Sequence, residues 1–374
     1  YRGAAGLAED VRYYGQWMRD EAEKRIGHLY PKVKLPKEYG GGEATVIAWL
    51  WARTVKCPNP ACGAQMPLVR SFALSTKPGK QAWVEPVVER FSNAKAQGRE
   101  GAEDIESLAS WRLGDFALNP RVRFEIRTGI GKPHEGTVNR RGATCLCYGT
   151  PVPFDHIRSE GKAGRMSAQL MAIVAEGPRG RIYLPPDEEH EAQPQNVPDT
   201  DLPEQALGFR VQLYGMTKHR DLFTPRQLVA LTTFSDLVGE ARERVRRDAI
   251  AAGMTDDGVP LEEGGTGAAA YADAVAVYLA FALDKMTTTN CNLCTWQTEP
   301  TRLVAAFSRQ ALPMVWDYAE ANPFGDAAGD YRLGIGSLTE VLDRLSPGKH
   351  GRVLQLDATA AEQFVSRPVI STDP

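Results

Sequence analysis

The sequence predicts an α+β fold, and three observations support this. Two close cysteine pairs, Cys57/Cys62 and Cys145/Cys147, lie in a first half where short apolar runs alternate with turn residues, as in a zinc-ribbon-like β-rich region. The second half contains two long segments with helical periodicity, over 224–247 and 268–287. Residues 353–373 follow the order strand, short helix, strand, which is a fragment of an α/β sheet.

Composition and charge are those of an ordinary globular protein. The chain has 374 residues, 43% hydrophobic and 24% charged, which is enough for two or three domains. A net charge of −3 gives no overall nucleic-acid signature, so any DNA contact must come from local basic clusters. No apolar run approaches the ~20 residues of a membrane-spanning helix, and no signal peptide is recognisable. Six cysteines in close pairs favour a reducing, cytoplasmic compartment.

The first half is predicted to contain one amphipathic helix followed mainly by strands. The helix covers 6–30, and a buried strand over 45–55 leads to the first cysteine pair. Alternating charged and apolar residues over 121–127 predict a strand with one wet face. The remaining predicted elements are strands at 66–72, 81–88, 151–157 and 181–184 and a helix over 162–176.

The second half is predicted to be more helical. Thr224 and Pro225 are typical of a helix start, with a capping hydroxyl followed by proline at the first helical position. Shorter helices are predicted over 299–307, 313–322 and 337–345. We therefore divide the chain into an N-terminal helix and linker (1–42), a β-rich insert with zinc-ribbon-like knuckles (43–186), a mainly helical region (187–335) and a partial, truncated α/β domain (336–374).

The cysteine pairs are the candidate metal ligands. Cys57 and Cys62 flank a Pro-rich turn, from which two thiols can point at one tetrahedral ion, and Cys145 with Cys147 forms the matching half. Zinc prefers four thiolate or imidazole ligands, often from two such knuckles. A regular second knuckle would carry its second sulfur at the position of Tyr148. Either Cys147 replaces that ligand through a shifted turn, or these residues are free, partly buried thiols.

Two other features contain residue types that can bind a metal ion. Cys291 and Cys294 have C-x-x-C spacing but neither a partner knuckle nor a thioredoxin-like βαβ context, so we predict two free thiols. Of the histidines, His156 could approach the knuckles, although its spacing is not that of a ligand.

Two clusters of cationic residues are the candidates for DNA contact. Each cation that meets a phosphate releases condensed counterions, which favours binding. For both clusters the alternative is a solvated turn or helix entrance, and the basic run 242–247 is interpreted as a wet helix face. The candidates are Arg140 and Arg141 beside the second knuckle, and Lys218, His219, Arg220 and Arg226 before and at the start of the helix predicted from 224.

The last predicted strand ends in Asp373 and Pro374, at the edge where open α/β sheets keep ligands. An enzyme that methylates an exocyclic amino group needs an acidic or amide oxygen followed by prolines and an aromatic residue. The oxygen and a carbonyl accept the N–H groups of the base, while the aromatic ring stacks on the flipped base. Asp373 and Pro374 provide the first two residues of such a motif. By themselves they are also an ordinary strand-to-loop turn.

Four stretches resemble a family of prokaryotic adenine-specific DNA methylases, large methylases whose N-terminal region is catalogued as a domain of unknown function. They cover 6–15, 57–70, 214–227 and 309–324, and the resemblance extends over nearly the whole chain. In that family the cofactor-binding Gly-rich turn lies upstream of what corresponds to Tyr1, and an Asp-Pro-Pro-Tyr motif begins at what is here Asp373. The chain is therefore expected to be an internal fragment: an insert and the first strands of a Rossmann-like methyltransferase sheet. Tyr148 departs from the family pattern.

The resemblance implies a function. The parent enzyme would transfer a methyl group from S-adenosyl-L-methionine to adenine in DNA, with Asp373 and Pro374 starting the catalytic motif and Asp357 near the cofactor or base pocket. DNA is the expected partner, zinc is the ion predicted from the cysteine knuckles, and components of restriction or anti-phage systems are candidates for further partners. This chain alone is expected to be inactive. The competing interpretation is a non-enzymatic nucleic-acid-binding or scaffolding module with a degenerate zinc ribbon.

Overall fold

The structure, a computed structural model, describes residues 3–89, 120–187, 197–204, 208–306 and 311–345. Within these ranges the chain combines helices and strands, which confirms the mixed α and β class. The strands predicted within 353–373 lie outside the described residues, together with Asp357, Asp373 and Pro374. No helix in the described ranges has the length and hydropathy needed to span a bilayer.

The helices predicted over 6–30, 224–247, 268–287 and 337–345 form, three of them with longer or shifted ends. Thr224 caps its helix as predicted, because its hydroxyl accepts a hydrogen bond from the Gln227 N–H. Asp330 caps the last helix in the same way by accepting from the Arg332 N–H, and this helix begins at Tyr331, six residues before its predicted start. The helices are α1 (Gly3–Ile26), α2 (Phe154–Lys162), α3 (Pro225–Ala251), α4 (Ala268–Thr287) and α5 (Tyr331–Arg344).

The strands form one five-stranded antiparallel sheet and several smaller ones. In chain order the strands are β1 (Val33–Lys34), β2 (Glu43–Ala44), β3 (Val46–Lys56), β4 (Gln65–Leu68), β5 (Ala73–Ser75), β6 (Ala82–Glu89), β7 (Arg121–Thr128), β8 (Val138–Asn139), β9 (Gly142–Thr144), β10 (Pro151–Pro153), β11 (Ser167–Gly177), β12 (Gly180–Leu184), β13 (Thr295–Gln297), β14 (Arg302–Val304) and β15 (Asp317–Ala321). In the large sheet the order is β12, β11, β3, β15, and β4 also pairs with β3.

Strand β3 lies between two hydrophobic cores. Its side chains lie on both faces of the sheet, and almost all of them are buried. The alternation is interrupted where the pairing with β11 shifts between Val46 and Ala48. Val46 and Trp49 pack with the helices, whereas Ile47 and Leu50 pack with the cysteine-rich β region on the opposite face. A strand covered on both faces is a continuous apolar run, as the sequence predicted here.

The helix predicted over 162–176 is wrong. Those residues form most of β11, which pairs with β3 and β12, and the helix of this region is α2, which occupies much of the strand predicted over 151–157. The apolar residues of β11 form a run buried on both faces. Periodicity alone cannot distinguish such a run from a buried helix. The helices predicted over 299–307 and 313–322 are wrong for a related reason: β14 and β15 form there, and β15 gains its hydrogen bonds from the edge of β3.

Strands and helices from different predicted domain ranges pack against one another. Strand β15, from the range 187–335, pairs with β3 from the range 43–186. Helix α5 crosses the predicted boundary between 335 and 336 and packs against α1 and α4.

A buried ion pair joins the large sheet to the helical layer. The guanidinium of Arg226, on the first turn of α3, donates two hydrogen bonds to the Glu320 carboxylate on β15, at 2.9 and 2.8 Å. Thr224 Oγ1 and Trp51 Nε1 donate to the same carboxylate, and the guanidinium lies 3.6 Å from the ring centroid of Trp49. Arg226 and Glu320 are 2% and 1% exposed, so their charges are stabilised by these contacts rather than by water.

We expect Glu320→Ala to lower the free energy of unfolding by about 3–5 kcal/mol, because it leaves the buried guanidinium of Arg226 without a counter-charge. Urea denaturation measures the loss. The control Asp199→Ala removes a carboxylate from an exposed ion-pair cluster with Lys218 and Arg220, and should cost much less. Equal losses in the two variants would contradict a central role for the buried pair.

Candidate metal centre

The first cysteine pair lies on a tight turn directly after β3. The Cys57 N–H donates to the Ala64 carbonyl at 2.9 Å, and the Cys62 N–H donates to the Asn59 carbonyl at 2.9 Å. Gly63 closes the turn with a φ of +59°, a conformation that favours glycine. Both cysteines therefore project from a backbone that is fixed by its own hydrogen bonds.

The second pair lies on the turn between β9 and β10. The Cys145 N–H donates to the Thr150 carbonyl at 2.9 Å, and the Gly149 N–H donates back to the Cys145 carbonyl at 2.8 Å. An amide side chain links the two turns, because Asn59 Nδ2 donates to Thr150 Oγ1 at 3.2 Å.

The two turns bring their sulfurs together in the interior. The Sγ atoms of Cys57, Cys62 and Cys145 all lie within 4.8 Å of one another, and those of Cys62 and Cys145 are 3.7 Å apart. A Zn–S bond of about 2.3 Å places the sulfurs of a tetrahedral site about 3.8 Å apart, so this spacing fits a metal ion. Cys147 is also buried, and its thiol interacts with those of Cys62 and Cys145. The cluster of Cys57, Cys62 and Cys145 could therefore hold a metal ion, whereas Cys147 lies outside the group whose sulfurs are all within 4.8 Å of one another.

Burial favours the protonated form of two of these thiols, those of Cys57 and Cys147. It raises the pKa of Cys57 to about 12, with smaller contributions from Cys145 and Cys62 in the same direction. Burial likewise raises the pKa of Cys147 to about 12, reinforced by the charges of Cys145 and Cys62. Several thiolates this close together need a cation to offset their repulsion, and a metal ion that binds here must displace the thiol protons.

The histidine and the two cysteines that were not predicted as ligands are outside this cluster. His156 Nε2 lies 2.9 Å from the Lys56 carbonyl, so its ring contacts the backbone beside Cys57 rather than the sulfurs. Cys291 and Cys294 are free, buried thiols with sulfurs 3.6 Å apart. Among the described residues, Cys57, Cys62 and Cys145 form the one group with the spacing of a metal site.

The predicted DNA contacts differ in accessibility. Arg140 and Arg141 form the exposed turn between β8 and β9, close in sequence to Cys145. The Lys218 ammonium and the Arg220 guanidinium share the Asp199 carboxylate. The hydrogen bond from Lys218 holds the pKa of Asp199 below its ordinary value.

His219 and Arg226 differ further from the predicted basic loop. The His219 ring contacts Thr200 at Oγ1 and at the carbonyl oxygen. Arg226 is buried against Glu320, so its guanidinium is inaccessible to DNA in this structure, contrary to the prediction. Arg226 was predicted to contact phosphate because it is close in sequence to a basic loop. Its side chain is instead positioned by Glu320, which is distant in sequence.

Comparisons with protein-family models, curated proteins and solved structures found no match to this chain. The likeness to adenine-specific DNA methylases therefore stays an interpretation of the sequence motifs.

Asn59 is a site residue that the sequence analysis did not single out. Its Oδ1 accepts from the Ala61 N–H at 3.0 Å, its carbonyl accepts from Cys62 and Gly63, and its Nδ2 reaches the second turn. The sequence signal for this role is an asparagine between two prolines, because an asparagine side chain in a turn can accept a hydrogen bond from the backbone N–H two residues later.

We expect Asn59→Ala to lower the free energy of unfolding by about 1–2 kcal/mol, because it removes hydrogen bonds within and between the two turns. Asn139→Ala is the matched control. Its Oδ1 accepts from the Arg141 N–H in an equivalent turn, and that is its one side-chain hydrogen bond within the described ranges. Denaturant titration of both variants tests this, and a loss at Asn139 as large as at Asn59 would refute the linking role.

Proposed function

We propose that the chain is part of a DNA methyltransferase that modifies the exocyclic amino group of adenine, and that its cysteine cluster is a structural zinc site. The observation that carries the proposal is the meeting of the two cysteine turns. The methylase resemblance implies such knuckles, and the Cys57, Cys62 and Cys145 sulfurs lie at distances suited to one ion. Cys147 interacts with Cys62 and Cys145, although it stands one position before Tyr148, where a regular knuckle would carry its second sulfur.

A structural role suits this cluster better than a catalytic one. The four cysteines are at most 6% exposed, and four thiolates complete a tetrahedral shell. No position would then remain for a substrate or an activated water. In this proposal zinc fixes the turns at 57–63 and 145–150, and thereby the exposed Arg140 and Arg141, which contact DNA phosphates.

The methyl-transfer part rests on the C-terminal motif. S-adenosyl-L-methionine supplies an electrophilic methyl group, and Asp373 accepts a hydrogen bond from the adenine amino group, which directs the nitrogen lone pair toward that methyl. Asp357 lies near the cofactor or the base in this proposal. These residues lie outside the described ranges, so the sequence resemblance alone supports their roles.

We expect the purified chain to contain about one zinc ion per molecule, measured by elemental analysis. Cys62→Ala should lose most of the metal and unfold at a lower temperature, because three ligands cannot complete the buried shell. Cys291→Ala removes an equally buried thiol outside the cluster and should retain the metal. Absence of zinc from the unaltered protein, or equal loss from both variants, would refute a zinc site at these cysteines.

We expect the gene product that contains this chain to transfer a labelled methyl group from S-adenosyl-L-methionine to adenine in DNA. Asp373→Ala should reduce the rate by at least about 100-fold, because the amino group loses its acceptor. Asp236→Ala, on the exposed face of α3, is the control and should retain activity. DNA binding without methyl transfer would instead favour the non-enzymatic nucleic-acid-binding module.

A further inference from the structure

We propose that a basic cleft between three loops binds phosphate groups, and that the backbone of DNA supplies them. The cleft has a volume of about 360 Å³ and is lined by Lys77, Lys80, Arg181 and Arg302, with Glu176 as its one carboxylate. This inference rests on the proposed DNA-directed function, and it assigns to that function a contact surface distinct from Arg140 and Arg141.

The cleft is held open by contacts between its walls. The loop after β5, the hairpin of β11 and β12, and the hairpin of β13 and β14 form its three sides. The Thr76 N–H donates to the Thr298 carbonyl at 3.2 Å, and the Lys80 ammonium donates to the Arg179 carbonyl at 2.6 Å. The concave shape is therefore part of the folded structure rather than a gap between independent loops.

The positive charges of this cleft are poorly compensated. Lys77 and Lys80 donate to neutral oxygens, those of Pro300, Thr301 and Arg179. An ammonium has three donors, so both lysines retain N–H groups for an anion. In the described part of the chain the Arg302 side chain has no ion-pair partner, and Arg181 alone pairs with Glu176.

The Lys218 loop is the opposite case, because Asp199 already neutralises part of its charge. An uncompensated cluster of cations in a concave site attracts a polyanion and gains from counterion release.

The backbone is strained at the cleft wall. Thr301 has a φ of +53°, and Asp326 is the one other non-glycine residue with a positive φ in the described ranges. This conformation is unfavourable for a residue with a side chain and persists where surrounding contacts enforce it. Here Lys77 Nζ donates to Thr301 Oγ1 at 2.9 Å, and the strained residue places Arg302 at the cleft rim. Strain of this kind is frequent at ligand sites.

The chemistry of the donors indicates the ligand class. Two lysines and two arginines present N–H donors without an aromatic platform for base stacking, since Tyr183, the aromatic residue of the lining, is buried. Such a site recognises phosphate oxygens and not base identity. The expected ligand is a phosphodiester of a duplex backbone. Free inorganic pyrophosphate shares that chemistry and is the second source to be tested.

The test uses the full chain and the double variant Lys80→Gln/Arg302→Gln, with Lys32→Gln/Lys34→Gln as control. All four side chains are exposed, and both pairs lower the net charge equally. Fluorescence anisotropy of a short labelled duplex is measured over a series of KCl concentrations. The cleft variant should bind about tenfold more weakly, with a salt slope reduced by about two, whereas the control keeps the slope of the unaltered protein.

A second titration uses inorganic pyrophosphate followed by calorimetry. If pyrophosphate binds the unaltered protein and the control but not the cleft variant, while duplex binding is the same for all three, the phosphate site stands and its source is a free anion. If neither probe distinguishes the cleft variant from the control, the proposal is overturned. Methyl transfer that depends on Asp373 but is unchanged in the cleft variant would retain the proposed function and remove the cleft as its DNA contact.

Discussion

The buried pair of Arg226 and Glu320 is the interaction on which this architecture depends. It is formed where the start of α3 meets β15 and β3. Trp51 and Thr224 donate further hydrogen bonds to the Glu320 carboxylate. A charge buried this deeply is tolerated only while each of its partners is in place. The pair thus couples the register of β15 on β3 to the position of α3, and through α3 to the packing of the helical layer.

Strand β3 connects this ion pair to the cysteine cluster. The same strand carries Trp49, which stacks on the Arg226 guanidinium, and ends at Lys56, beside Cys57. The sheet fixes where the first cysteine turn begins, and the Asn59 to Thr150 contact fixes the second turn against it. The geometry of the cysteine cluster depends on the position of this strand, because the two turns are short.

The sequence predicted the parts of this structure whose signals are local. The cap at Thr224, the wet-faced strand at 121–127 and the long helix at 268–287 all follow from neighbouring residues. The meeting of Cys57 and Cys62 with Cys145 was predicted instead from the number of ligands that zinc prefers, because the two turns are far apart in sequence. The predictions were wrong where residues distant in sequence determine the local structure. Strand β15 forms because β3 offers an edge, and Arg226 is buried because Glu320 lies opposite it. The basic cleft was also missed, because its three walls are far apart in sequence.

The sequence separation across the large sheet has a consequence for how the chain folds. Trp51 and Glu320 hydrogen-bond across 269 positions of sequence, so β3 is synthesised long before the strand that completes its edge. Closing so long a loop is slow, and an apolar strand with an open edge is prone to pair with other chains meanwhile. Productive folding therefore requires β11, which emerges earlier, to occupy one side of β3 while the other side waits for β15.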